Sequence, residues 1–135
     1  MEIEMSNKMS LYELPVASTD LIADAILCGN VIRYSYLRDG VERRGGLIFN
    51  NVKAKRTRSD EACTAWHIEE AYDTLVEIEG SSWVNEIMAD TQDRQQRFDE
   101  TWSLHHYLIY LDGSGCIEVL SESWNELPEE HGAWT

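Results

Sequence analysis

The sequence predicts an α+β fold, a mostly antiparallel sheet of five or six strands with two helices packed on one face. Three observations predict it. Residues 31–49 and 104–122 are each two runs rich in β-branched and aromatic residues, joined by Asp39-Gly40 and by Asp112-Gly113-Ser114-Gly115, which is a hairpin pattern. Residues 72–79 alternate, with Tyr72, Thr74, Val76 and Ile78 set against Asp73, Glu77 and Glu79, as a half-buried strand requires. Two stretches, 18–29 and 81–88, carry cap residues followed by an apolar stripe of helical spacing.

Taken in order, residues 1–10 hold three of the four methionines without a period and read as a loose arm. Ser18-Thr19-Asp20, then Leu21, Ile22, Ala25 and Ile26, then Gly29-Asn30, read as a capped amphipathic helix with a glycine stop. The first hairpin follows, and Gly45-Gly46 inside its return strand predicts a bulge or a close backbone approach. Asn50-Asn51 is a turn before a strand at 52–57, and residues 62–68 read as another strand. Gly80-Ser81-Ser82 caps a second helix with Trp83, Ile87 and Met88 on its inner face. In the last hairpin both faces of 104–111 are apolar, which places that strand in the middle of the sheet. Residues 124–135, acidic and containing Pro128, read as a surface tail.

The 135 residues suit a single domain, and 43% hydrophobic with 27% charged residues excludes a disordered or coiled-coil reading. A net charge of −14 disfavours nucleic acid and anionic membranes as partners. That charge is uneven. Residues 31–58 hold eight Lys and Arg with two acids, whereas residues 59–135 hold two Arg with eighteen acids. Folded together, the two blocks are expected to pair, strand-borne cations against neighbouring carboxylates. No apolar run is long enough to span a bilayer, and three cysteines without Cys-x2-Cys spacing suit reduced thiols in a cytoplasm.

No catalytic motif is present, and no cofactor or metal motif either. Cys63, His67 and Glu69 would share one face if the strand read at 62–68 continued through Glu69, so a small enzyme or metal-binding protein centred on them is the alternative reading. His105 and His106, adjacent on a strand, point to opposite faces. The leading reading is surface chemistry. Carboxylates steer and pair with cationic groups while a few tryptophans act as desolvated anchors, and the residues expected to do this are Trp66, Glu69, Glu70, Asp73, Glu77, Glu79, Trp83, Glu118 and Glu122. A homodimer is a third reading.

Gly46-Leu47-Ile48-Phe49-Asn50-Asn51-Val52, followed by the hairpin from His106 through Asp112-Gly113-Ser114-Gly115 to Val119, resembles small bacterial immunity proteins of polymorphic-toxin systems. The resemblance covers residues 45–122. It implies a non-enzymatic, cytoplasmic inhibitor that binds a cognate toxin, often a cationic nuclease, and blocks its active surface. The acidic charge agrees with that implication on independent grounds.

Overall fold

The computed structural model describes residues 7–134. Among these, nine strands form two antiparallel sheets, joined by three α-helices. The strands are β1 (Lys8–Glu13), β2 (Ile26–Cys28), β3 (Val31–Arg38), β4 (Val41–Asn50), β5 (Ala54–Arg58), β6 (Thr74–Ile78), β7 (His105–Leu111), β8 (Gly115–Ser121) and β9 (Ser123–His131). The helices are α1 (Ala65–Ile68), α2 (Ser82–Asp90) and α3 (Gln92–Arg97). One sheet runs β1-β6-β7-β8-β5 and the other β2-β3-β4-β9. The α+β class therefore holds, but the strands divide between two sheets where the sequence suggested one.

Two sheets form because the apolar residues of both hairpins alternate. Ile32, Tyr34, Tyr36, Leu47 and Phe49 project from β3 and β4 towards Tyr107, Ile109, Leu111, Ile117 and Val119 of β7 and β8, and these side chains make one buried core. The opposite face of β7 and β8 is also buried. Leu108, Tyr110 and Cys116 pack there with Val76, Ile78 and Ala71, beneath Ile68 of α1. Covered on both sides, β7 is the central strand of its sheet, as its doubly apolar sequence demands.

The first hairpin turns at Asp39-Gly40 with both residues at positive φ, the geometry whose twist matches the flanking strands. Gly46 answers to a close approach. A Cβ there would lie 2.6 Å from the Ile32 carbonyl oxygen, and the ladder between β4 and β9 shifts register between Arg44 and Gly46.

Four local expectations fail, each for a physical reason. Residues 18–29 are not a helix. After one 3₁₀ turn at Ser18–Asp20 the chain stays extended, with Ile22 N–H donating to Ser35 O and β2 pairing with β3. A helix of about ten residues is marginal by itself, and pairing with a preformed hairpin satisfies the same backbone groups. Residues 62–68 are not a strand, because α1 occupies 65–68 and is closed by a capping box between Thr64 and His67. The box is disguised in the sequence, since its third position usually carries Glu or Gln.

The acidic end lies at the surface, as expected, but as a paired strand and not a tail. β9 is the edge strand beside β4, and Pro128 sits at the register shift, where its missing N–H breaks no ladder bond. The expected arm is partly structured, since residues 8–10 belong to β1 paired with β6, and residues 1–6 lie outside the described residues. Among the described residues no helix is long and apolar enough to cross a membrane.

The expected pairing holds for half of the basic residues of 31–58. Arg38 and Arg43 both reach Glu129, Arg44 reaches Glu130 and Arg56 reaches Glu118. Trp134 completes this surface, its indole N–H donating to the carbonyls of Tyr34 and Gly45 while Arg33 and Arg44 stack on its ring.

Candidate functional site

On β7 and β8 the residues of even number face away from the inter-sheet core, and this outer face carries a buried polar network. Arg56 of β5 lies opposite Glu118 of β8 in register, and His106 of β7 lies diagonal to it. Glu118 accepts from Arg56 Nε at 3.0 Å and Nη2 at 3.1 Å, and from His106 Nε2 at 2.7 Å. The other ring nitrogen of His106, Nδ1, is 2.7 Å from Ser81 Oγ, and that oxygen also accepts the Val84 N–H as the cap of α2.

A carboxylate this deeply buried is tolerable because three charge-assisted hydrogen bonds replace its water. Burial would raise the Glu118 carboxyl, but the bonds from His106 and Arg56 outweigh it and hold it down at about 2. Glu118 is thus an acceptor throughout, so His106 carries its proton on Nε2. In the neutral ring Nδ1 is then an acceptor, and Ser81 O–H donates to it.

Beside this network stands a second group. Ligand atoms of His67, Cys116 and Glu118 all lie within 4.8 Å of one another, and all three residues are buried. His67 Nδ1 accepts the Thr64 N–H at 3.0 Å, which leaves the ring proton on Nε2. Burial, followed by the nearby Arg58, lowers the His67 pKa. Burial and the Glu118 charge push the Cys116 thiol up to about 12. A divalent cation would need a deprotonated sulfur and a carboxylate released from Arg56.

The alternative centre read from the sequence does not assemble as expected. Cys63 and His67 do approach this region, with the Cys63 thiol adjoining Cys116, but Glu69 follows the end of α1 and is exposed. The shared face required a strand, and a helical turn separates the two directions.

A cleft of about 200 Å³ opens onto the network, lined by Arg56, Trp66, Ile78, Ser81, Trp83 and His106. Trp66 and Trp83, the two tryptophans expected at the contact face, both line it. Each is already faced by a cation of its own chain, Lys8 at 4.6 Å from the Trp66 ring centre and Arg56 at 3.9 Å from that of Trp83. Those ring faces are therefore occupied.

The carboxylates expected alongside them scatter. Glu69, Glu70 and Glu79 are exposed, whereas Asp73 accepts the Ser18 N–H and Glu77 pairs with His105 at 2.6 Å. Glu122 accepts from Asn51 and from the Ser103 N–H. Glu118 is in the interior. His105 and His106 do face opposite ways, as their adjacency on a strand required.

The other outer face of the molecule presents a different surface. Ile22, Ala23, Ile26, Cys28, Asp24 and Glu42 help to line a groove of about 330 Å³ beside β2, β3 and β4, with Arg33 and Trp134 in its wall. Ile26 is 61% exposed and Ile22 47%, and Leu37 and Val41 at the β3–β4 turn are exposed on the same hairpin. The sequence reading missed this surface because it placed Ile22 and Ile26 on the buried stripe of a helix.

No family model matches the chain, and no curated protein and no solved structure matches it. Fold and sites define the class as an α+β protein built on an antiparallel sandwich. One outer face holds a polar network under a cleft, and the other an apolar groove that also carries Asp24, Glu42 and Arg33.

Proposed function

We propose that this protein is a binding module of the immunity type, which neutralises a cationic protein, a cognate toxin, by covering its active surface. The observation that carries the reading is the groove of β2–β3–β4. Exposed apolar side chains, Ile22 and Ile26 among them, are gathered there with two carboxylates, Asp24 and Glu42, against one cation, Arg33. Apolar anchors ringed by charge are the usual anatomy of a protein interface.

The charge balance supports the sign of the partner. Arg38, Arg43, Arg44 and Arg56, half of the basic residues of the block 31–58, are held by carboxylates of the same chain, which reduces the positive charge that block offers to phosphates, and the whole carries −14. The interface accordingly moves from the Trp66 and Trp83 face expected from sequence to the opposite side of the sandwich.

The test is calorimetric titration of the cationic protein that co-purifies with the tagged chain at low salt. Affinity should fall by about tenfold or more between roughly 50 and 300 mM salt, and again in Asp24→Lys with Glu42→Lys. Ile26→Asp should abolish binding. Equal affinity of the Ile26→Asp protein, or no salt dependence, rejects this interface.

A further inference from the structure

We propose that Ser81, His106 and Glu118 form a serine-nucleophile centre that hydrolyses short-chain acyl esters held in the cleft beneath Trp66 and Trp83. This is an activity beyond partner binding, and it departs from the non-enzymatic character that the family resemblance implies.

The arrangement is that of nucleophile, base and orienting acid. Ser81 Oγ to His106 Nδ1 is 2.7 Å, and His106 Nε2 to Glu118 Oε1 is 2.7 Å. Direction follows from chemistry. The Glu118 carboxylate accepts, the imidazole passes that constraint to its far nitrogen, and Ser81 O–H points at a lone pair able to take its proton. Arg56 braces Glu118 from the other side, so the acid cannot swing away from the ring.

The placement of Ser81 adds the remaining parts. β6 ends at Ile78, Gly80 takes φ +66° to reverse the chain, and Ser81 caps the nine-residue α2. Ser82 and Trp83 open that helix with N–H groups that have no intrahelical acceptor, next to the nucleophile, where a tetrahedral oxyanion needs donors. Ser81 and His106 both line the cleft, whose volume of about 200 Å³ admits an acyl group of a few carbons between Ile78, Trp66 and Trp83. Arg56 gives Nε and Nη2 to Glu118 and its side chain is 49% exposed, so Nη1 faces away from Glu118 and favours esters bearing a nearby anionic group.

In the reaction Oγ attacks the ester carbonyl carbon as its proton passes to His106 Nδ1. The intermediate collapses by breaking the carbon–oxygen bond to the alcohol, which leaves with that proton. Water then adds to the acyl-serine, giving its proton to Nδ1, and collapse releases the carboxylic acid while Oγ regains the proton. Atoms balance with one water consumed, and no oxidant or reductant enters.

The experiment treats the full-length protein with an alkyl fluorophosphonate and follows intact mass and peptide maps, alongside release of p-nitrophenol from p-nitrophenyl acetate. One phosphonyl adduct on Ser81 is expected. Ser81→Asn keeps a capping oxygen for the Val84 N–H and should lose both adduct and esterase activity. His106→Gln should slow labelling by about 10²-fold or more. A folded wild-type protein that gains no adduct, or an adduct that maps to another residue or survives in Ser81→Asn, overturns the proposal. Should either variant fail to fold, the wild-type peptide map decides alone.

Discussion

Replacing Glu118 by glutamine tests the physics of the polar network most sharply. The substitution keeps the shape of the side chain but removes its charge. The amide oxygen can accept from His106 or from Arg56, and the new NH₂ then faces a donor. Two independent routes give the cost. The Glu118 carboxyl drops from 4.5 to about 2 in the folded protein, which corresponds to about 3 kcal/mol of stability at neutral pH. Removing one partner from a buried ion pair costs about 3–5 kcal/mol in other proteins.

The loss at pH 7 should therefore be about 3 kcal/mol in urea unfolding, or about 10 °C in Tm for a chain of this length. Because the folded pKa lies below the unfolded one, the contribution is complete above about pH 4.5 and disappears as pH falls towards 2. The gap between wild type and Glu118→Gln should shrink to about half near pH 3. A gap under about 1 kcal/mol at pH 7, or one unchanged between pH 6 and 3, refutes the reasoning.

Other outcomes follow from single contacts. Gly46→Ala places a Cβ 2.6 Å from the Ile32 carbonyl and should cost about 2–3 kcal/mol in urea unfolding. Trp134→Ala removes two indole hydrogen bonds and the stacking surface of Arg33 and Arg44, so stability should drop by about 1–2 kcal/mol, and a neutral result in thermal denaturation would show that the C-terminal residues do not brace the sheet. Among the three cysteines, Cys28 is exposed while burial holds the Cys116 thiol at about 12, so iodoacetamide at pH 8 should modify Cys28 first and leave Cys116 intact until the protein unfolds.

The hairpins at Val31–Asn50 and His105–Ser121 were legible because turn chemistry and strand pattern agree there. The start of α2 was legible for a similar reason, since Ser81 is a cap of standard type. Where local and long-range signals compete, the reading went astray. Leu21, Ile22, Ala25 and Ile26 have helical spacing, yet Ser35 takes the Ile22 N–H and only part of that stripe is buried. Glu129 and Glu130 made the C-terminal stretch look solvated, although their partners Arg38, Arg43 and Arg44 lie 86 to 91 residues away in sequence and hold it as a strand.

The same distance hid the network. His106 and Glu118 share one hairpin, and their parity put them on one face. Arg56 and Ser81 come from other strands and loops, and no spacing rule connects them. The exposed groove was invisible for the converse reason, because apolar residues read from sequence are assigned to the core unless the fold turns them outward.

Hydrogen–deuterium exchange of the chain with and without its cationic partner locates the interface directly. The account predicts slowed exchange in residues 22–28 and 35–42, around Ile26, Asp24 and Glu42, with residues 64–70 and 79–84 unchanged. Protection concentrated at Trp66 and Trp83 instead, with the β2–β3–β4 groove unaffected, would contradict it.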